Sequence, residues 1–319
     1  MLRRRLPRDA TDYDEYHNTM GPKVDSPLIT IVMPVYNCQE YVVETIESLL
    51  LQTFKRSRIV IVNDCSTDDT LSLISRFSHL KNLVIVNLDR NVGESGAVNK
   101  GWALCETTFV AVISADDPQN PEWLASMFDG IRQSPNYLFY YPDVSVIDSS
   151  GNVIGVIETH DYNLDLLRNK LICLPSAGAI IDKSKLPQNF LPRIESVTHP
   201  SDLIQWLRLS NFGDGRKVSI RAGTWRQHSE SLSSKDRTNR ASLFRSGINE
   251  WISSENLELN STQKLYLLGH QFMILKGEKK SRILLFVFRN LKHITILVHP
   301  KSYPSLMKFS FRKIRRRKS

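Results

Sequence analysis

From residue 28 to about 120, short apolar runs rich in β-branched residues alternate with stretches of helical spacing. Leu28 to Met33 reads as a buried strand that breaks at Pro34, since proline cannot donate to a sheet ladder. A helix follows from Glu40 to Gln52, with Val42, Val43, Ile46, Leu49 and Leu50 along one face. Arg58 to Val62 is a second strand, and Leu71, Ile74 and Phe77 mark a second helix. Leu83 to Leu88 is a third strand, its helix runs from about Ser95 to Cys105, and Phe109 to Ser114 is the fourth strand. Strand and helix in strict alternation predict a mostly parallel, Rossmann-like α/β sheet with helices on both faces.

Past Pro118 the rhythm loosens. Trp123, Leu124, Met127 and Ile131 share one helical face, and Tyr137 to Val146 with SGNVIG reads as an edge strand and hairpin. A short strand follows ICLPSAG, a helix carries Leu203, Trp206 and Leu207, and Lys217 to Ile220 is another strand. Beyond about residue 235 the pattern turns helical, at Asn239 to Trp251 and Thr262 to Leu275. Ser281 to Val298 is apolar but interrupted by Arg289, Lys292 and His293, which suits an amphipathic or bundle helix. The expected organisation is a lead-in over 1–26, a catalytic-sized domain over 27–235 divided near 120, a helical extension over 236–304 and a basic tail over 305–319.

Charge changes this picture only at the ends. The net charge of +9 is concentrated in Arg3, Arg4, Arg5 and Arg8 and in the closing RKIRRRKS, so it says little about what the core binds. No motif for nucleic acid is visible, and none is expected as a partner. The tail suits an anionic membrane surface, each basic residue there contributing about 1 kcal/mol; a solvated tail fits the same residues. Four cysteines without a C-x-x-C pair, and no start resembling a signal peptide, predict reduced thiols and a cytoplasmic protein, peripheral at most to the membrane. No apolar run reaches the ~18 residues of a membrane span.

The candidate chemistry sits where the fourth strand ends, in SADDP. Ligands of open α/β sheets bind beyond the carboxyl ends of strands, which puts Asp116 and Asp117 at a crevice. Adjacent carboxylates suit Mg²⁺ or Mn²⁺ shared with substrate phosphates; Asp-Asp-Pro by itself also reads as a turn capping the next helix. G-x-G-x-x-G after the first strand and the P-loop pattern are both absent, so phosphates would have to be held through a metal.

The ordered segments PVYN with Glu40, VNDCSTDDT, NVGESGAVNKG and SADDP resemble the successive motifs of the family-2 inverting glycosyltransferases, which have the GT-A fold. The resemblance implies a nucleotide-sugar donor, most simply a UDP-sugar, and a glycan or lipid-linked acceptor. It places Pro34, Tyr36, Asn37, Glu40, Asp64, Asn91, Gly93, Asn99 and Asp116 around the nucleotide, and Asp117, Asp116 and His228 on a Mn²⁺ or Mg²⁺ ion. HPSDLIQWLRL resembles the segment carrying the family's catalytic base, which makes Asp202 the candidate. TWRQH resembles its closing motif, with Arg226 on the diphosphate. Ser114 stands where the family often has Asp, Asn63 where Asp is frequent, Cys65 where Gly is frequent, Ser201 in place of Glu and Trp225 in place of Tyr. Two other readings stay open: a nucleotide-binding relative without turnover, and a basic protein that binds membrane or nucleic acid through its tails.

Overall fold

The computed structural model describes residues 27–169, 175, 177–228 and 237–258. The expected features at 1–26, 262–275, 281–298 and 305–319 lie outside the described residues. The first four strands are β1 (Ile29–Val35), β2 (Ser57–Asn63), β3 (Leu83–Asn87) and β4 (Phe109–Val112). All pair in parallel, as alternation with α1 (Val42–Leu50), α2 (Thr70–Ser75) and α3 (Gly93–Ala103) requires. The second half adds α4 (Trp123–Gln133), β5 (Phe139–Ile147), β6 (Val153–Ile157), α5 (Leu164–Arg168), β7 (Ile180–Asp182), α6 (Ser201–Leu209), β8 (Gly215–Arg226) and α7 (Arg237–Ser254). Among the described residues the eight strands form one sheet, ordered β3-β2-β1-β4-β7-β5-β6, with β8 paired to β5.

Three boundaries differ from the sequence reading, each for a local reason. The first strand passes through Pro34 to Val35, because β4 stops pairing at Val112 and β1 is left with β2 alone. A missing N–H is tolerated where the ladder is one-sided. The strand expected at 217–220 is instead twelve residues long, pairing in parallel along β5, which has β7 at its start and β6 at its end on the ladder's other registers. The register shifts between Tyr141 and Val144, around Pro142, which also lacks an N–H. The short α5 was not expected; Asn163 caps it by accepting from the Leu166 N–H.

The core lies on both faces of the sheet. Ile29, Ile31 and Met33 pack with Ile46 and Leu49 of α1 and with Leu124 and Met127 of α4. On the other face Val32, Val110 and Trp102 join Leu203 and Trp206 of α6 and Phe244, Ile248 and Trp251 of α7. The third helix approaches so closely at Gly101 that a Cβ there would meet Val32 Cγ1 at 2.4 Å. This two-sided packing leaves the carboxyl edge of β1, β2 and β4 open to loops, where the polar motifs lie.

Candidate functional site

Three loops are laced together beyond the strand ends. Asn37 follows β1 with φ +47, a conformation asparagine tolerates better than most residues. Its amide accepts from the Thr67 N–H at 2.8 Å and donates to Thr67 Oγ1 at 3.1 Å, and its own N–H donates to Ser66 Oγ. Asp64, buried at the end of β2, accepts from the Val92 N–H at 2.7 Å, while Asn91 Nδ2 donates to the Asp64 carbonyl. Asn91 Oδ1 in turn accepts from the N–H of Gly93, whose φ is +79. A side chain at that φ is strained, so glycine fits. Pro34 is half-buried, Tyr36 is 49% exposed and Glu40 is exposed, all on the β1 side of this ring of loops.

The acids of SADDP divide between two environments. Asp116 Oδ2 stands 2.9 Å from His228 Nε2, just beyond the end of β8, and the His228 ring lies 4.7 Å from that of Tyr41. Asp117 is turned inward and only 5% exposed; its Oδ1 accepts from the Arg226 N–H at 2.7 Å. Burial, and then the neighbouring charge of Asp116, raise its carboxyl well above the usual carboxylate range. Asp117, expected on the metal, is thus tied through one carboxylate oxygen to the end of β8.

Arg226, which the resemblance put on the diphosphate, is deeply buried. Only 1% exposed, it donates from Nε to the Asp116 carbonyl, from Nη1 to the carbonyls of Asp148 and Ser149, and from Nη2 to Glu44 Oε2 at 2.6 Å. Its guanidinium also lies over the Tyr41 ring, 4.8 Å from the centroid. With these donors engaged, Arg226 pins the acid turn to α1 and to the β5–β6 hairpin. Asn99 is also committed elsewhere: its amide both donates to the Arg193 carbonyl and accepts from the Arg193 N–H. Asp202 is exposed on the first turn of α6, where its Oδ1 accepts from the Leu203 N–H.

The structure laces the loops of Asn37, Asp64, Asn91 and Gly93 together and sets Asp116 beside His228, while Asp117, Arg226 and Asn99 are buried and hydrogen-bonded within the fold. Glu44 and Tyr41 were missed. Their only signal was their spacing: Tyr41, at the N-cap of α1, stands three residues before Glu44 on its first turn. Cys38 also borders the acids. Burial first, and the Asp116 charge second, push its thiol up to about 12.

The profile of glycosyl transferase family 2 matches residues 30–182. The chain is 27% identical over 250 residues to chondroitin synthase of Escherichia coli, covering 75% of this chain and 36% of that protein. It is 28% identical over 193 residues to the putative teichuronic acid biosynthesis glycosyltransferase TuaG of Bacillus subtilis, 59% of this chain and 73% of that one. The chain thus spans about a third of the length of the first of these relatives. Among solved structures, S. aureus TarS 1-349 in complex with UDP-GlcNAc superposes with a TM-score of 0.57 at 19% identity, over 88% of this chain and 79% of that one. The mannosyltransferase PcManGT of Pyrobaculum calidifontis, in complex with GDP-Man and Mn²⁺, gives 0.54 at 13% identity over 93% and 88%. At these identities the structural likeness establishes the fold, a mixed α/β sheet of GT-A type.

Proposed function

We propose that this glycosyltransferase, whose residues 30–182 belong to glycosyl transferase family 2, moves a sugar from a UDP-sugar to a hydroxyl of a glycan or lipid-linked acceptor with inversion at the anomeric carbon. The observation that carries the reading is the 2.9 Å approach of Asp116 to His228 beyond the carboxyl end of β4.

A carboxylate oxygen and an imidazole nitrogen fit Mn²⁺ or Mg²⁺, both of which take most of their shell from oxygen. Among the described residues no third acidic, histidine or cysteine side chain completes a cage. The remaining positions would be left to water and to the donor's own phosphate oxygens. Bound there, the ion would neutralise charge developing on the nucleoside diphosphate as it leaves. Asp116 and His228 would hold it. Asp117 and Arg226 keep Asp116 in place, the first through the turn and the second through the Asp116 carbonyl.

The loops of Asn37, Asp64 and Asn91 orient the nucleoside, and Tyr36 offers an exposed ring for stacking a base. Asp202 takes the proton of the acceptor hydroxyl as it attacks the face opposite the leaving group, which gives inversion in one displacement. Its exposure leaves room for an acceptor, and its place at the N-terminal end of a helix favours the carboxylate.

The test is binding and turnover of a nucleotide-sugar panel with Mn²⁺, with Mg²⁺ and with chelator. Asp116→Ala is expected to lose the metal-dependent part of donor binding. Asp202→Asn should bind donor as the wild type does and turn over roughly 10²–10⁴-fold more slowly, the usual contribution of a general base. Turnover undiminished in Asp202→Asn would remove Asp202 from the mechanism. Donor binding indifferent to chelator and to Asp116→Ala would remove the metal.

A further inference from the structure

A cavity of about 230 Å³ lies at the Glu44 end of the Arg226 guanidinium, the acid pair being at its Nε end. Its walls include Glu44, Gln119, Ser145, Ile147, Arg221 and Thr224, drawn from α1, from the turn after Asp117, and from β5 and β8. We infer that this cavity is a carbohydrate exosite, which holds one sugar unit of the acceptor or product glycan away from the reacting hydroxyl. The inference rests on the glycosyltransferase reading for the origin of that glycan and on the cavity's own chemistry for its class.

Size excludes the donor. Pockets for drug-sized ligands occupy roughly 300–1,000 Å³, so this one suits a single ring and not a nucleotide-sugar. Its polarity selects for hydroxyls. Gln119 is buried, its Nε2 donates to the Asp117 carbonyl at 2.8 Å and its N–H donates to Ser48 Oγ, yet its Oε1 is buried without a partner. Glu44 Oε1 is the accessible acceptor, because the Glu44 side chain is 53% exposed while its Oε2 is held by Arg226. Ser145 and Thr224 can donate or accept, and the exposed Arg221 supplies donors at the wall. Val153, an exposed side chain on the wall, offers the apolar surface on which the C–H face of a pyranose would rest. Acceptors, donors and one apolar wall in a small open cavity match a polyol better than a phosphate, which Glu44 would repel.

The probes are the methyl glycosides of glucose, galactose, N-acetylglucosamine and glucuronic acid, titrated into the full chain and followed by saturation-transfer NMR and calorimetry. Arg221→Ala removes an exposed cation, and Ser145→Met fills the cavity; neither residue belongs to the donor or acid machinery. UDP binding with Mn²⁺ is measured on the same samples. The expected result is millimolar binding of at least one glycoside, weakened at least ~10-fold (about 1.4 kcal/mol) in both variants, with UDP binding unchanged. Should Ser145→Met fail to fold, Arg221→Ala decides alone. Equal glycoside binding in wild type and Arg221→Ala would overturn the exosite, as would no glycoside binding by a wild type that binds UDP. Loss of UDP binding in the wild type itself would instead strike the glycosyltransferase reading.

Discussion

Cys65 stands with φ +59, in the left-handed region. An L-residue held there is strained by roughly 1–2 kcal/mol, which explains why glycine is frequent at this place in the resembling motif. Cys65→Gly is therefore expected to raise the free energy of unfolding by about 0.5–1 kcal/mol, part of the relief being lost to the glycine's greater unfolded-state entropy; urea titration measures it. Cys38 makes a prediction in pH. Its thiol moves from an ordinary 9.0 to about 12 in the folded chain, burial being the main cause and Asp116 the next. Between those values the native state keeps a proton that the unfolded state has released. Stability is thus intact below about 9 and falls as pH rises towards about 12. Cys38→Ala should flatten that fall in thermal melts, and alkylation of Cys38 mapped by mass spectrometry should be negligible at pH 8. At this scale the residue types of the site were readable, since SADDP and TWRQH named the acids and the histidine. Which oxygen faces inward was not, because that depends on where the Arg226 N–H arrives.

The eighth strand decides it. Only four of its twelve residues, Lys217 to Ile220, had an apolar alternation to announce it; most of the others, including Arg221 and Gly223, pair with β5 through their backbone. Backbone pairing leaves little trace in side-chain pattern, which is why the strand's length and the burial of Arg226 could not be read beforehand. The parallel half was legible for the opposite reason: Ile29, Ile31, Ile59 and Ile61 are buried and declare it. Arg226→Lys is expected to destabilise the fold by about 3–5 kcal/mol, since one ammonium cannot reach Glu44, the Asp116 carbonyl and the hairpin carbonyls that the guanidinium spans. Denaturant unfolding gives the size. The same variant should weaken metal-dependent donor binding, because the Asp116 carbonyl loses its anchor.

The molecule as a whole is a sheet covered on both faces, and α7 belongs to that cover. Phe244, Ile248 and Trp251 are buried against α6 and the sheet. Burial of such side chains contributes about 1.5–3 kcal/mol each, so the three together rival the roughly 5–15 kcal/mol that holds a domain folded. A chain ended at residue 236 is expected to lose most of its stability, and to expose apolar surface that dye binding and light scattering detect. An enzyme domain closing near 235, as the change of rhythm in the sequence implied, therefore leans on the helix beyond it.

The hydrogen bond from the Arg226 N–H to Asp117 spans 109 positions of the chain. At a synthesis rate of roughly 5–20 residues per second, Arg226 is made about 5–20 s after Asp117. Throughout that interval the nascent polypeptide carries a carboxylate pair that has neither its histidine nor its arginine. The acid turn is consequently completed only once the last strand of the sheet has been made.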